Sequence, residues 1–461
     1  MNITYFVHGY LGLPIAGFLI SLFLPVKKEG ALSVLSYSTA FLQLLLVCLF
    51  TAFWIFQGAE PIQFKEISVY RSENYDFFID FLVDKLTLTY AFLGAALTFL
   101  ITIYSRYYLH REAGYKRFFN TILFFNIGYS TIIFSGNMET LFIGWEILGV
   151  SSFLLIAFYR ERLLPVKNAL KVFSVYRIGD IGVILAMWLL HHFWHENVTF
   201  LQMNQTVSLH EHLAQNSSVG LLIATLFYIA AAAKSAQLPF SSWLPRAMEG
   251  PTPSSAIFYG SMSVHIGAFL LLRTLHFWEN QIYFKVGLVI AGLLTALIST
   301  VISRVQSTIK SQIAYASIAQ IGLIFIEIAL GWENVALVHI VGNAFLRTYQ
   351  LLISPSIVSY KIREQQYELQ EAVLQKSAFD RWVDRYYMLS LKEWNLDNAL
   401  FKWLWNPLKK IGRGWKVLNF RYIFWLMAFI LLFGLILRAN EALLPTEVKQ
   451  RLPFFFALWG F

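Results

Sequence analysis

The chain has 461 residues, 57% hydrophobic and only 14% charged, with a positive mean hydropathy. A soluble domain carries roughly 25% charged residues, so water is not this chain's main solvent, and with no nucleotide loop, nucleophile elbow or metal-ligand cluster in the sequence a self-contained soluble enzyme is the weakest reading. The net charge of +9 is no sign of nucleic-acid binding, since no recognition motif accompanies it, and basic residues in a membrane protein record topology. The single cysteine, Cys48, rules out a disulfide framework or a cysteine zinc cluster within the chain and is expected to be a small buried hydrophobe.

Apolar runs of about 20 residues, each long enough to cross a hydrocarbon core of about 30 Å, predict about twelve transmembrane helices. They lie at 8–26, 32–56, 82–104, 118–135, 138–159, 169–190, 220–238, 252–275, 284–303, 311–330, 334–355 and 422–439. The first run has no basic residue before it and is followed by Pro25, Lys27 and Lys28, which does not fit a cleavable signal peptide. Lys27 and Lys28, then Arg106, Arg111, Lys116 and Arg117, then Arg160, Arg162, Lys167 and Lys171 mark alternate loops as cytoplasmic. Connections such as 136–139, 191–220 and 331–334 carry no lysine or arginine, and the 57–78 loop is mostly acidic. The N-terminus is therefore expected outside.

The fold class is all-α and polytopic. Four regions are expected: N-terminal membrane helices (1–79), an ion-translocating core (80–358), a basic and aromatic segment (359–421), and a last helix with its tail (422–461). The third region holds about a dozen basic residues among Trp382, Tyr386, Tyr387, Trp394, Trp403, Trp405 and Trp415. That pattern suits an amphipathic helix at the headgroup level, a docking surface, or a solvated connector.

An ionised side chain at the bilayer centre costs about 2.5 to 3.5 kcal/mol on insertion scales, so such residues pair or line a wet path. Glu146 lies in the middle of the fifth run. Lys234 lies in Ala230-Ala-Ala-Ala-Lys-Ser-Ala-Gln-Leu-Pro239, where small residues allow close helix approach and Pro239 disrupts the helix. The two are read as a pair, either a proton relay or a static ion pair. Arg177 and Asp180 share one face near the cytoplasmic end of the sixth run and could pair with each other or be solvated. Asp84 and Lys85 at the third run are equally ambiguous. Pro251 and Pro253 in Glu249-Gly-Pro-Thr-Pro-Ser-Ser255 predict an irregular helix entry. His265 follows, able to titrate near neutral pH or to sit hydrogen-bonded in the core. Glu327 adds a further polar site. His339, Asn343 and Arg347 fall at four-residue spacing on one face, as part of a hydrated path. Arg347 is suited to holding charge but not to carrying protons.

Several stretches resemble the proton-conducting membrane subunits shared by respiratory complex I and multi-subunit sodium/proton antiporters. They are Tyr115-Lys-Arg-Phe-Phe119, Phe142-Ile-Gly-Trp-Glu146, Arg177-Ile-Gly-Asp180, Lys234-Ser-Ala-Gln-Leu-Pro239, Ala247-Met-Glu-Gly-Pro-Thr-Pro253 and Gln312-Ile-Ala-Tyr-Ala-Ser-Ile-Ala-Gln-Ile-Gly322. The resemblance covers about 80–355. It implies that Glu146 is the family's essential buried glutamate and Lys234 its central lysine on a broken helix. It also implies that protons or sodium ions move in step with work done elsewhere in a complex.

The departures from the family pattern are Tyr259 where members carry histidine, His265 nearly two turns later, and Asn343-Ala-Phe-Leu-Arg347 where a histidine and a lysine are usual. A shortened chain of this kind resembles the membrane subunits of two-component inorganic-carbon accumulation complexes, the DabB family. The resemblance implies a large carbonic-anhydrase-like, DabA-like cytoplasmic partner holding zinc, and a bacterial inner (plasma) membrane. No cofactor, metal site or catalytic residue is expected in this chain. The rivals are a subunit of an antiporter or redox pump, and a membrane anchor for a soluble enzyme.

Overall fold

The computed structural model describes residues 3–72, 75–194, 197–203, 217–365 and 378–414, with short stretches between 424 and 433. The chain forms two compact units, Met1–Leu396 and Asp397–Phe461.

The first unit opens with α1 (Ile3–Phe23) and α2 (Glu29–Phe56). A hairpin follows, β1 (Ile62–Ser72) antiparallel to β2 (Tyr75–Val83), with Ile62 opposite Val83 and Ser72 opposite Tyr75. Most of it lies in the acidic connection expected to be a loop. Its alternation of apolar and polar residues carries a strand period, which a window sized for membrane helices averages away.

The helices α3 (Lys85–Tyr108), α4 (Tyr115–Phe134), α5 (Met138–Ile156), α6 (Leu163–Trp194) and α7 (Ser217–Lys234) come next. Asp84 caps α3 through the Thr87 amide at 2.8 Å, and Asn137 caps α5 through the Thr140 amide at 2.9 Å. Each cap satisfies one of a helix's orphan donors. After an irregular stretch the chain resumes as α8 (Ile266–Arg273), α9 (Ile282–Val305), α10 (Ile309–Ala329), α11 (Glu333–Gln365) and α12 (Ala378–Leu391).

Among the described residues nine helical spans are long and apolar enough to cross a membrane. The fourth and seventh expected runs are helical too, as α4 and α7. Asn120 and Asn126 dilute the hydropathy of α4, and α7 is short because it stops at Lys234 rather than reaching 238. Most of the expected run at 422–439 lies outside the described residues.

Packing brings helix backbones into contact at paired glycines. A Cβ on Gly144 would lie 2.6 Å from the Gly128 carbonyl oxygen and 2.7 Å from the Ile132 amide, which binds α5 to α4. Gly292 and Gly322 do the same for α9 and α10, where a Cβ would sit 2.6 and 2.7 Å from the opposite carbonyl. Cys48 is exposed on α2 rather than buried. It falls on the side of α2 turned away from the bundle, where an apolar residue meets lipid as readily as protein.

Beyond α12, which packs on α9, Glu393, Trp394 and Asn395 all take left-handed backbone angles with φ of 51°, 54° and 53°. Such angles cost a side-chain-bearing residue about 1 kcal/mol or more. Glu393 is held by Arg246 at 2.7 Å. Trp382, Tyr386 and Tyr387 are exposed on α12. The second unit contains α13 (Asn406–Gly414), where the Lys409 ammonium lies 4.7 Å from the Phe401 ring. Trp415 lies outside the described residues.

Candidate functional site: a buried lysine at a helix break

Lys234 is the last residue of α7 and is 1% exposed. The chain then turns through Ala236, in a left-handed conformation with φ of 53°. It continues as single turns at Trp243–Arg246, Ala247–Glu249 and Thr252–Ser255, a wide π turn at Ala256–Ser261 and a tight turn at Ser263–His265. Pro239, Pro251 and Pro253 lack the amide hydrogens that a continuous helix would use. Partners come from neighbouring helices and from within the stretch: the Leu238 amide donates to Thr295 Oγ1 of α9 at 3.2 Å, Gln237 Nε2 to the Ile318 carbonyl of α10 at 3.3 Å, and Ser235 Oγ to the Val264 carbonyl of the tight turn at 2.5 Å. Irregular backbone at this depth is thus buried in protein, as the hydrocarbon requires. The Tyr259 side chain lies outside the described residues.

The Lys234 ammonium lies over two aromatic faces, 4.3 Å from the Tyr176 ring and 4.7 Å from that of Trp145, and 3.5 Å from the Trp145 carbonyl. Ring quadrupoles hold a desolvated cation well. The carboxylates beside it are bridged by arginine. Arg177 Nη2 donates to Glu146 Oε2 at 2.7 Å, and Arg177 Nε lies 2.8 Å from Asp180 Oδ2. The Trp145 indole donates to Asp180 Oδ1 at 2.8 Å. A Cβ on Gly149 would lie 3.8 Å from both Arg177 Nη2 and Lys234 Nζ, so the two cations share one small-residue gap.

The expected Glu146 and Lys234 pair is therefore a four-residue cluster in which Glu146 meets Arg177 and no ion pair joins it to Lys234. Arg177 and Asp180 do not sit at a helix end. The helix that carries them begins at Leu163, six residues before the expected start, so they lie mid-helix and join the cluster.

A second cluster lies at the tight turn. His265 is fully buried, with Nδ1 on the Ser261 carbonyl and Nε2 3.1 Å from Asn343 Nδ2. Asn343 Oδ1 accepts from Arg347 Nε at 3.1 Å, and Arg347 Nη1 donates to Gln350 Oε1 at 2.7 Å. His339, one turn away on α11, belongs to a third group, between Glu327 Oε1 at 2.8 Å and Gln320 Oε1 at 2.9 Å. The expected single stripe is thus divided between two networks, because His339 faces α10 while Asn343 faces the turn at His265.

Sequence reasoning missed Arg273, which is 5% exposed and pairs with Asp84, its Nη2 donating to Thr87 Oγ1 at 2.7 Å. Its place at the end of an apolar run carries no signal in the sequence that it is buried, since its partner Asp84 is 189 residues away. Burial alone would raise the Asp84 carboxyl, but Arg273 and the Thr87 amide hold it below the ordinary range. Lys85 hydrogen-bonds Asn334.

A bundle of membrane-length helices, one of them interrupted beside a buried lysine and an arginine-bridged carboxylate pair, is the architecture of an antiporter-like membrane subunit. Residues 135–382 match the family described as NADH:quinone oxidoreductase/Mrp antiporter transmembrane region, and 70–119 match the complex I chain 5 N-terminus. The chain belongs to this family. It is 31% identical over 332 residues to the chloroplastic NAD(P)H-quinone oxidoreductase subunit 5 of Piper cenocladum, covering 69% of this chain and 44% of that protein. With the corresponding subunit of Brachypodium distachyon it is 34% identical over 291 residues, covering 62% and 39%. It thus spans less than half the length of these curated relatives. The fold is shared with a chain of the Mrp complex from Dietzia sp. DQ12-45-1b, with a TM-score of 0.64 and 20% identity over 76% of this chain and 37% of that one. It is also shared with a chain of an archaeal membrane-bound sulfane sulfur reductase, with a TM-score of 0.62 and 16% identity over 75% and 70%.

Proposed function

We propose that this chain is the energy-coupling membrane subunit of an inorganic-carbon uptake complex. In this reading protons, or sodium ions, move inward through it and drive hydration of carbon dioxide to bicarbonate in a zinc-containing, carbonic-anhydrase-like cytoplasmic partner. The observation that carries the ion-moving half is Lys234, buried at a helix break between two aromatic faces and beside Glu146, Arg177 and Asp180. In this reading Arg177 alternates between the two carboxylates, and the charge it leaves exposed sets whether Lys234 holds its proton. His265, His339 and Arg347 are the further path residues. The core is 80–358, the basic and aromatic segment 359–421 receives the partner, and the N-terminus faces outward from a bacterial inner membrane.

The carbon-uptake half is supported by the sequence departures at Tyr259, Asn343 and Arg347. One charge moving through 100 mV releases about 2.3 kcal/mol, enough for useful accumulation. The test is labelled inorganic-carbon uptake in cells lacking carbonic anhydrase, with this chain expressed with and without its genomic neighbour, before and after an uncoupler. Uptake that needs both proteins and falls with the uncoupler is expected; uptake that survives collapse of both proton and sodium gradients refutes the proposal.

A second reading is favoured by the curated relatives, which are quinone oxidoreductase subunits: a subunit of a redox pump or of a multi-subunit antiporter. Neighbouring genes for quinone-reducing or small antiporter subunits would decide for it.

A further inference from the structure

Seven residues before Glu146, and so on the same face of α5 about 10 Å along its axis, stands a carboxylate that the clusters above do not use. Glu139 is 5% exposed, and its Oε2 has no hydrogen-bond partner among the described residues. It lines a cavity of about 10 Å³ together with Met187, Leu190, His191 and Asn197, room for the centre of one water molecule. Asn197 is 6% exposed. Its amide nitrogen is committed to the Asp76 carbonyl at 2.6 Å, while its Oδ1, like Glu139 Oε2, has no partner among the described residues.

Two buried acceptors on one water-sized space, each costly to leave unpaired, call for an occupant that donates twice. Water does that. The other titratable groups around the space are His191 from α6 and Asp80 from β2, with Lys65 on β1 beyond, paired to Asp76. Asp80 is itself buried and accepts from Gln63, and burial pushes its carboxyl up to about 6.

We propose that this cavity holds one water molecule bound by Glu139 and Asn197, and that the pair is the loading site at which a proton enters the chain from the hairpin side. In the loading step an O–H bond of a protonated water breaks, its proton forms a new O–H bond with Glu139 Oε2, and neutral water stays between the carboxyl and Asn197. The delivery of that proton along α5 toward Glu146 rests on the ion-moving reading above, whereas the site itself does not.

The test is infrared difference spectroscopy of the full chain in lipid nanodiscs, exchanged between alkaline and acid buffer in H₂O and D₂O. The wild-type chain is expected to show a carboxylic-acid band that is lost in Glu139→Gln, shifted in Asn197→Ala, and retained in both Asp80→Asn and Glu146→Gln. An unchanged band pattern in Glu139→Gln overturns the site, and so does a band that responds to sodium at fixed pH. In membrane vesicles read with a pH dye, Glu139→Gln is expected to slow proton movement fed from the hairpin side about tenfold. Should Glu146→Gln leave proton movement intact, the ion-moving reading fails, while the infrared result on Glu139 still decides the site.

Discussion

Removing one partner of the buried Asp84 and Arg273 pair should have an asymmetric effect, and the asymmetry follows from what each partner keeps. In Asp84→Ala the guanidinium, with its side chain 3% exposed, retains among the described residues only Thr87 Oγ1 as hydrogen-bond partner. An uncompensated buried charge costs about 3 to 5 kcal/mol, and losing the α3 cap adds about 1 kcal/mol. In Arg273→Met the Asp84 side chain is 21% exposed and still accepts from the Thr87 amide at 2.8 Å, so the loss is nearer one charge-assisted hydrogen bond, about 2 kcal/mol. The double variant Asp84→Ala/Arg273→Met removes both charges and should be more stable than the summed single effects by about 2 kcal/mol. The assay is unfolding of the purified full chain by a denaturing detergent titrated into mixed micelles, followed by far-UV circular dichroism. Because the Asp84 carboxyl is held low, the stability it contributes is present above the unfolded-state pKa and lost as the pH falls through the folded one. Equal single costs that add in the double variant would refute the reasoning.

Asp80 has the opposite sign. Its carboxyl is pushed up to about 6 by burial, from about 4 in the unfolded chain, so the folded state binds more protons between those values. Stability should fall by about 3 kcal/mol as the pH rises through that window, and Asp80→Asn should flatten the curve in a pH series of the same unfolding assay. At the lysine cluster, Lys234→Met and Arg177→Gln should each slow ion movement in vesicles about a hundredfold while circular dichroism shows an intact fold; unimpaired movement in both would leave the cluster a static packing device. On the helix contacts, Gly144→Ala forces a Cβ to within 2.6 Å of the Gly128 carbonyl and should cost about 2 kcal/mol. Gly342→Ala on α11, with open space around its Cβ, should be neutral or stabilising by up to about 1 kcal/mol. Comparable losses in the two variants would count against the glycine argument.

Membrane helices were legible in the sequence because hydrocarbon thickness imposes one length scale on every span. The break after Lys234 was legible too, since small residues followed by proline cannot continue a helix. Partner choice was not. Glu146 and Lys234 are each conspicuous as charges in apolar runs, but their partners depend on the rotation of α6, and that rotation is set where Gly182 lets α6 approach the Leu226 carbonyl of α7, to within 2.9 Å of a would-be Cβ. Spacing alone put His339, Asn343 and Arg347 on one face, whereas α10 and the tight turn at His265 divide that face between networks. The hairpin at 62–83 escaped notice because its period is two residues, and Glu139 because a carboxylate in a first turn ordinarily serves the helix dipole.

The interlocked glycines make each of two helix pairs, α4 with α5 and α9 with α10, a single stiff plank: sliding one helix along the other by even a fraction of a turn would drive a Cα into a facing carbonyl. Glu146 rides on the first plank, and Thr295, which receives the Leu238 amide, on the second. A conformational cycle in such a frame cannot be shared evenly among all helices. Any such cycle would concentrate in the segment between Lys234 and His265, which is built of single turns, so the part of the chain freest to bend is the part that begins at the buried lysine, while Glu146 stays fixed on its plank.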